Sequence, residues 1–191
     1  MKLILASQSP RRKALLEMLR IPFTVCVADA DETMDPEKPP YEEVARVSLL
    51  KAQAICPAED AVVVAADTIV VCEGRVLGKP RDARDAAEML TLLSGNDHQV
   101  MTGLCVLRGD KKIVCTEVTD IHFRPLSPEE IVRYVETGEP MDKAGAYGIQ
   151  GGGALFAQSI HGDYYNVVGL PLCRLGQILK EIAPELMEES Q

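Results

Sequence analysis

Four stretches of this sequence put charged or amide side chains where folding alone has little use for them. In Val62-Val63-Val64-Ala65-Ala66-Asp67-Thr68-Ile69-Val70-Val71, an acidic residue interrupts a run that otherwise reads as a fully buried strand. A buried carboxylate is costly unless it is paired, hydrogen-bonded or metal-bound. The small Ala65 and Ala66 leave room for a ligand to approach it. Beside a phosphate, Asp67 could hold Mg²⁺ or accept the proton of an attacking water. The plainer alternative is a structural Asp satisfied by nearby backbone.

Ser7-Gln8-Ser9-Pro10-Arg11-Arg12-Lys13 runs from a strand into the start of a helix, where unpaired N–H groups and the helix dipole favour an anion. Arginines in a first helical turn face the wrong end of that dipole. Arg11 and Arg12 make sense there with a phosphate between them, and otherwise read as solvated basic residues. In Gly78-Lys79-Pro80 the proline biases Lys79 toward an extended backbone, which suits either a phosphate ligand or a plain solvated lysine. The stretch from Gly138 to Gly151 mixes glycines with Asp142, Lys143 and Gln150. Its backbone can pass close to a ligand. Asp142 and Lys143 suit a metal and a phosphate, and the Gln150 amide can donate to and accept from a base edge.

Other chemistries are poorly supported. No G-x-x-x-x-G-K-[ST] loop is present. His98, His122 and His161 are isolated and lack zinc-ligand spacing. Ser9 has no nucleophile elbow around it and reads as a helix cap.

The elements that must carry these residues follow from periodicity. Lys2 to Ala6 reads as a short buried strand, Pro10 to Arg20 as a helix with a stripe of Leu15, Met18 and Leu19, and Ile21 to Ala28 as a second strand. An acidic turn, Asp29 to Asp35, precedes a helix from Pro40 to Ile55. The Val-rich run from Ala61 to Cys72 predicts a strand buried on both faces, with a turn at Gly74. A helix from Asp82 to Ser94 is closed by Gly95. His98 to Leu107 and Lys112 to Phe123, joined by Arg108-Gly109-Asp110, predict an antiparallel hairpin. Ser127-Pro128-Glu129-Glu130 is a capping box opening a helix that stops at Gly138. Gly145 to Gly153 reads as loop, and Leu172, Leu175, Ile178, Leu179 and Ile182 mark a final amphipathic helix. The fold class is α/β, a mixed twisted sheet with flanking helices, rather than a purely doubly wound one.

The 191 residues suit a single domain over 1–191, with any division into two lobes falling near Ser94 to Phe123. With 47% apolar but only 4% aromatic residues, the core should be mostly aliphatic. Order is expected throughout except in the Glu- and Ser-rich tail, Glu185 to Gln191. A net charge of −9 argues against non-specific nucleic-acid binding yet allows a local cationic pocket for a small anion. Six scattered cysteines without a C-x-x-C pair read as reduced core thiols, and no run is long enough for a signal or membrane segment. A soluble, cytoplasmic protein without nucleic-acid or membrane partners is expected.

Taken together, Ser7-x-Ser9-Pro10-Arg11-Arg12, Ala66-Asp67-Thr68, Gly78-Lys79-Pro80, Gly138-Glu139-Pro140-x-Asp142-Lys143-Ala144-Gly145-x-Tyr147-Gly148-Ile149-Gln150-Gly151 and Tyr165-Asn166-Val167-Val168-Gly169-Leu170-Pro171 resemble the motifs of the Maf family, in that family's order. The resemblance spans Leu3 to about Leu179. It implies an ITPase-like (Maf/Ham1) fold with two lobes around a cleft. It also implies cleavage of a nucleoside triphosphate between the α and β phosphates, supported by a divalent cation (Mg or Mn). By the same resemblance Asp67 is the proton acceptor. Ser9, Arg11, Arg12, Lys51, Lys79 and Lys143 bind substrate, and Glu32, Asp67 and Asp142 are acidic positions near the metal. Arg12, Thr68 and Gln150 match the residue types of a subgroup that prefers dTTP and UTP, whereas another subgroup prefers 7-methyl-GTP. Gly152 departs from the pattern, since a basic residue often follows the Gln-Gly pair. Relatives often form homodimers. The competing readings are a pyrophosphatase for 7-methyl-GTP or ITP, and a non-catalytic nucleotide-binding regulator of septum formation.

Overall fold

The computed structural model describes residues 1–27, 29–55 and 61–188. Strand β1 (Lys2–Leu5) leads into helix α1 (Pro10–Glu17), then β2 (Phe23–Val25), α2 (Pro40–Gln53) and the long strand β3 (Ala61–Cys72). A tight turn returns the chain along β4 (Arg75–Leu77) to α3 (Ala83–Leu93). The pair β5 (Asp97–Arg108) and β6 (Lys111–Phe123) follows, then α4 (Pro128–Glu136). Three short 3₁₀ turns, Glu139–Asp142, Ala144–Ala146 and Gly152–Leu155, precede β7 (Ala157–His161), α5 (Tyr164–Val168), α6 (Leu172–Ile182) and α7 (Pro184–Glu188).

The strands form a seven-stranded sheet in the order β2-β1-β3-β5-β6-β7, with β4 paired to β3. β1 is parallel to both β2 and β3, whereas β4 on β3 and β7 on β6 are antiparallel. The expected mixed α/β sheet is therefore present. The chain divides into two compact units, one of Met1–Asp67, Thr102–Glu117 and Gly169–Gln191, the other of Thr68–Met101 and Val118–Val168.

In the first unit, Ala61 to Ala66 of β3 are all buried, as a strand covered on both faces requires. Ala6, Ala52, Ile55, Val63, Ala65 and Cys105 form one core cluster there. Gly103 of β5 lets α2 come close, because a Cβ at this position would collide with the Val44 carbonyl. The second unit gathers most of the scarce aromatics. Phe123 makes edge-to-face contacts with His98, Tyr147 and Phe156, and Tyr134 does the same with Phe156. This part of the core is thus less aliphatic than composition suggests.

Local signals account for several helix boundaries. Ser9 caps α1, Asp82 caps α3, and Ser127 with Glu130 closes a complete capping box on α4, which ends at Gly138 with φ 75°. Some expectations need correction. α1 stops at Glu17, and the chain leaves through a turn in which Arg20 has φ 57°. Its buried pair is Leu15 and Leu16, while Met18 is exposed. The second strand shrinks to Phe23–Val25, and Ala28 lies outside the described residues. The tail is helical through Glu188, because Leu186 is buried and Arg108 donates to both Ile182 O and Glu185. Among the described cysteines only Cys72 and Cys105 are buried; Cys26 and Cys173 are exposed and Cys115 is half-buried. Cys56 lies outside the described residues. Among the described residues, no helix is long and apolar enough to cross a membrane.

Candidate active site

Asp67 sits where β3 ceases to be fully buried, its side chain 16% exposed. Its partner comes from the last turn of α2. The Lys51 ammonium donates to Asp67 Oδ1 at 2.6 Å and also lies 2.9 Å from Glu32 Oε2. Two carboxylates remote in sequence therefore converge on one cation, and Asp67 is a paired charge rather than a backbone-satisfied one.

Arg12 is held beside them in the same unit. Its Nε donates to Gly169 O at 2.8 Å and its Nη1 to Ser7 Oγ at 3.3 Å. Ser7 Oγ also accepts from Ser9 N, and Ser9 Oγ from Arg12 N. The first turn of α1 contains no acidic residue. Desolvation pulls the Arg12 pKa below the ordinary arginine value, while Asp67 and Glu32 push it back up and Arg11 adds to the lowering. A half-buried guanidinium at a helix N-terminus, its fork set by a carbonyl and a hydroxyl, suits an incoming anion.

Glu32 is itself restrained from a distance. The buried Glu43 carboxylate accepts from Asp35 N at 2.8 Å and pairs through both oxygens with Arg46, which donates to Thr33 O at 2.6 Å. These bonds tie the segment around Glu32 to α2, the helix that carries Lys51. The Arg46 hydrogen bonds, aided by the Asp35 N–H, pull the Glu43 pKa down to about 2.

The second unit holds Thr68, Lys79, Asp142, Lys143 and Gln150. Lys143 Nζ donates to Asp142 Oδ1 at 2.6 Å and to Glu139 O at 2.7 Å. Gly145 N donates to Gly78 O at 3.1 Å, which stitches the turn bearing the exposed Lys79 to the glycine-rich segment. Gly145 has φ 70°, and a Cβ there would lie 2.7 Å from Val70 Cγ2, so only glycine fits. Gln150 is exposed between Gly148 and Gly151.

Two of the histidines have structural surroundings. His98 Nε2 meets the Tyr147 hydroxyl at 2.9 Å inside the aromatic cluster, and His122 Nδ1 meets Asp97 at 2.8 Å. Ser7, Gly169, Glu43, Arg46, Glu139 and Tyr134 were not assigned roles from sequence. Ser7, Gly169 and Glu139 lie inside the motifs quoted above, so a signal existed for them; the others carry no local one.

A solved HAM1 protein from Coxiella burnetii superposes over 95% of this chain and 99% of its own with a TM-score of 0.50 at 12% identity, so the two share a fold. The Maf-like protein family model matches residues 2–182. A protein of Symbiobacterium thermophilum named dTTP/UTP pyrophosphatase is 55% identical, covering 94% of this chain and 93% of its own. One of the same name from Bacillus cytotoxicus is 50% identical, covering 94% and 95%. The chain belongs to the Maf family.

Proposed function

We propose that this chain is a nucleoside triphosphate pyrophosphatase that hydrolyses dTTP and UTP to the monophosphate and pyrophosphate, clearing them or modified pyrimidine relatives from the nucleotide pool. The carrying observation is the Lys51 ammonium shared by Asp67 and Glu32. The names of the two relatives support the substrate class.

The charges divide the work. Asp67 Oδ1 is engaged by Lys51, so we assign Oδ2 to orienting the attacking water and taking its proton as the water adds to the α-phosphorus. The bond from that phosphorus to the bridging oxygen breaks, and pyrophosphate leaves with the bonding electrons. Arg11, Arg12, Lys51, Lys79 and Lys143 are assigned to phosphate charge, with Ser9 holding the turn that presents the arginines. Thr68 and Gln150 are assigned to the base. The Gln150 amide suits a uracil-like edge, which offers a carbonyl acceptor beside an N3–H donor.

A divalent cation, Mg or Mn, fits the donors present. Among the described residues, no three His, Cys, Asp or Glu side chains gather as a metal set. Mg²⁺, however, needs only one or two carboxylates besides water and substrate phosphates. Glu32 and Asp67 already direct oxygens at a common positive charge, and we assign them as ligands, with Asp142 as a third acidic group. The ion would neutralise phosphate charge. A nucleotide-pool substrate assigns the enzyme to the cytoplasm.

Pyrophosphate release from dTTP, UTP, CTP, ITP, GTP and 7-methyl-GTP with Mg²⁺ or Mn²⁺ tests the reading. Release confined mainly to dTTP and UTP is expected. Turnover of ITP or 7-methyl-GTP instead would keep the chemistry and overturn the specificity. Binding without release would favour a regulatory protein.

A further inference from the structure

The glycine-rich segment does not hold its shape through its own backbone alone. Glu139 Oε1 accepts from the Tyr134 hydroxyl at 2.8 Å and Oε2 accepts from Gly152 N at 3.0 Å. The Tyr134 hydroxyl in turn accepts from Gly148 N at 2.9 Å. Two backbone N–H groups that flank Gln150 thus end on one side-chain pair. Burial raises the Tyr134 pKa, so the phenol stays protonated and keeps donating to Glu139.

The missing side chains belong to the same arrangement. A Cβ at Gly148 would lie 2.8 Å from Glu139 Oε1, and one at Gly151 would collide with the Glu139 carboxylate. A Cβ at Gly153 would lie 3.1 Å from the Tyr134 hydroxyl and 2.8 Å from Gly148 O. The carboxylate and the phenol occupy the space that side chains at these positions would take. Tyr134 is itself fixed by the core, being only 6% exposed and edge-on to Phe156 at a centroid distance of 4.9 Å. Tyr134 anchors the template on α4, a capped helix, while Glu139 enters from the 3₁₀ turn that opens the glycine-rich segment.

We propose that Glu139 and Tyr134 are the positioning residues of base selection: they lock Gly148 and Gly152, and so hold the intervening Gln150 amide in one register against the nucleobase. This rests on the reading that Gln150 recognises the base. The pair touches no phosphate and no reacting atom in that scheme, so its loss acts on KM and selectivity before it acts on kcat.

The test compares kcat and KM for dTTP, UTP and CTP in the wild type and in Glu139→Ala, Glu139→Gln, Tyr134→Phe and Gln150→Ala, with the melting temperature of each. Glu139→Ala and Tyr134→Phe should raise KM for dTTP and UTP about tenfold or more, since each removes two of these hydrogen bonds. They should flatten the dTTP-over-CTP preference while kcat falls less than about threefold. Glu139→Gln should restore only part of the preference, because its single amide oxygen can accept from Gly152 N or from the Tyr134 hydroxyl but not from both. A drop in kcat shared equally by all three nucleotides, with the preference intact, would mean a purely structural role and overturn the proposal. Gln150→Ala separates the two layers. If it leaves the preference unchanged, base reading by Gln150 fails and the proposal with it. If it flattens the preference while Tyr134→Phe and Glu139→Ala do not, only the positioning role fails.

Discussion

Lys51 Nζ lies 2.6 Å from Asp67 Oδ1, joining the last turn of α2 to the point where β3 emerges from full burial. The pair fixes one oxygen of the carboxylate, Oδ1. Asp67→Asn keeps the shape and removes the base. Turnover of dTTP should fall by about 10²–10⁴, the range for a lost general base, while calorimetry still detects nucleotide binding. Near-normal turnover would eliminate Asp67 both as proton acceptor and as essential metal ligand.

Arg12 uses Nε on Gly169 O and Nη1 on Ser7 Oγ. A lysine ammonium at this site cannot reproduce the planar fork. Arg12→Lys should raise KM for dTTP about tenfold or more, as expected when a charge-assisted contact is displaced. Steady-state kinetics would show the loss, and an unchanged KM would remove Arg12 from the substrate contacts.

Acid should destabilise the fold in two stages. Burial lowers the His98 pKa from its ordinary 6.5 to about 4, so the unfolded chain binds a proton that the folded one refuses across that window. The stabilisation is complete above pH 6.5 and declines as the pH falls, by about 3 kcal/mol at the lower end. Below pH 4.5 a second loss begins, because Glu43 and Glu130 are held at about 2 by Arg46 and Arg124 respectively. Urea midpoints between pH 4 and 7 would record the first slope. His98→Phe should flatten it, and an unchanged slope would exclude His98 as its source.

Gly103→Ala forces a Cβ into the Val44 carbonyl, where backbone rather than a flexible side chain must move. A cost of about 1–3 kcal/mol is expected from such overpacking. Because α2 carries Lys51, activity should fall along with the melting temperature. A variant with wild-type stability would mean that the helix can shift freely, against the close approach described above.

Much of this architecture was legible in the residues. The capping box at Ser127 to Glu130, the valine run of β3 and the hairpin around Gly109 are local signals, read within a few positions of one another. β4 and β7 were missed because Arg75-Val76-Leu77 is too short for a period and Ala157-Gln158-Ser159-Ile160-His161 lacks clean alternation. The candidate site was legible as residue types but not as partnerships. Arg12 and Gly169 are 157 positions apart, and Lys51 and Asp67 are brought together by a helix packing on a strand. Such pairings depend on tertiary packing that no short window contains. Glu43 carries no local signal of its role, since its burial and its bonds to Asp35 and Arg46 arise only in the folded chain.

Glu139 and the absent side chains at positions 148 and 151 share one small volume. Neither partner can drift on its own: alanine at 151 needs a shorter acid at 139, and a shorter acid at 139 alone abandons Gly152 and Tyr134. A sequence crossing between these two solutions must pass through a poorer intermediate or change both positions together. That interdependence makes the 139/151 pair a natural place to seek compensating second mutations.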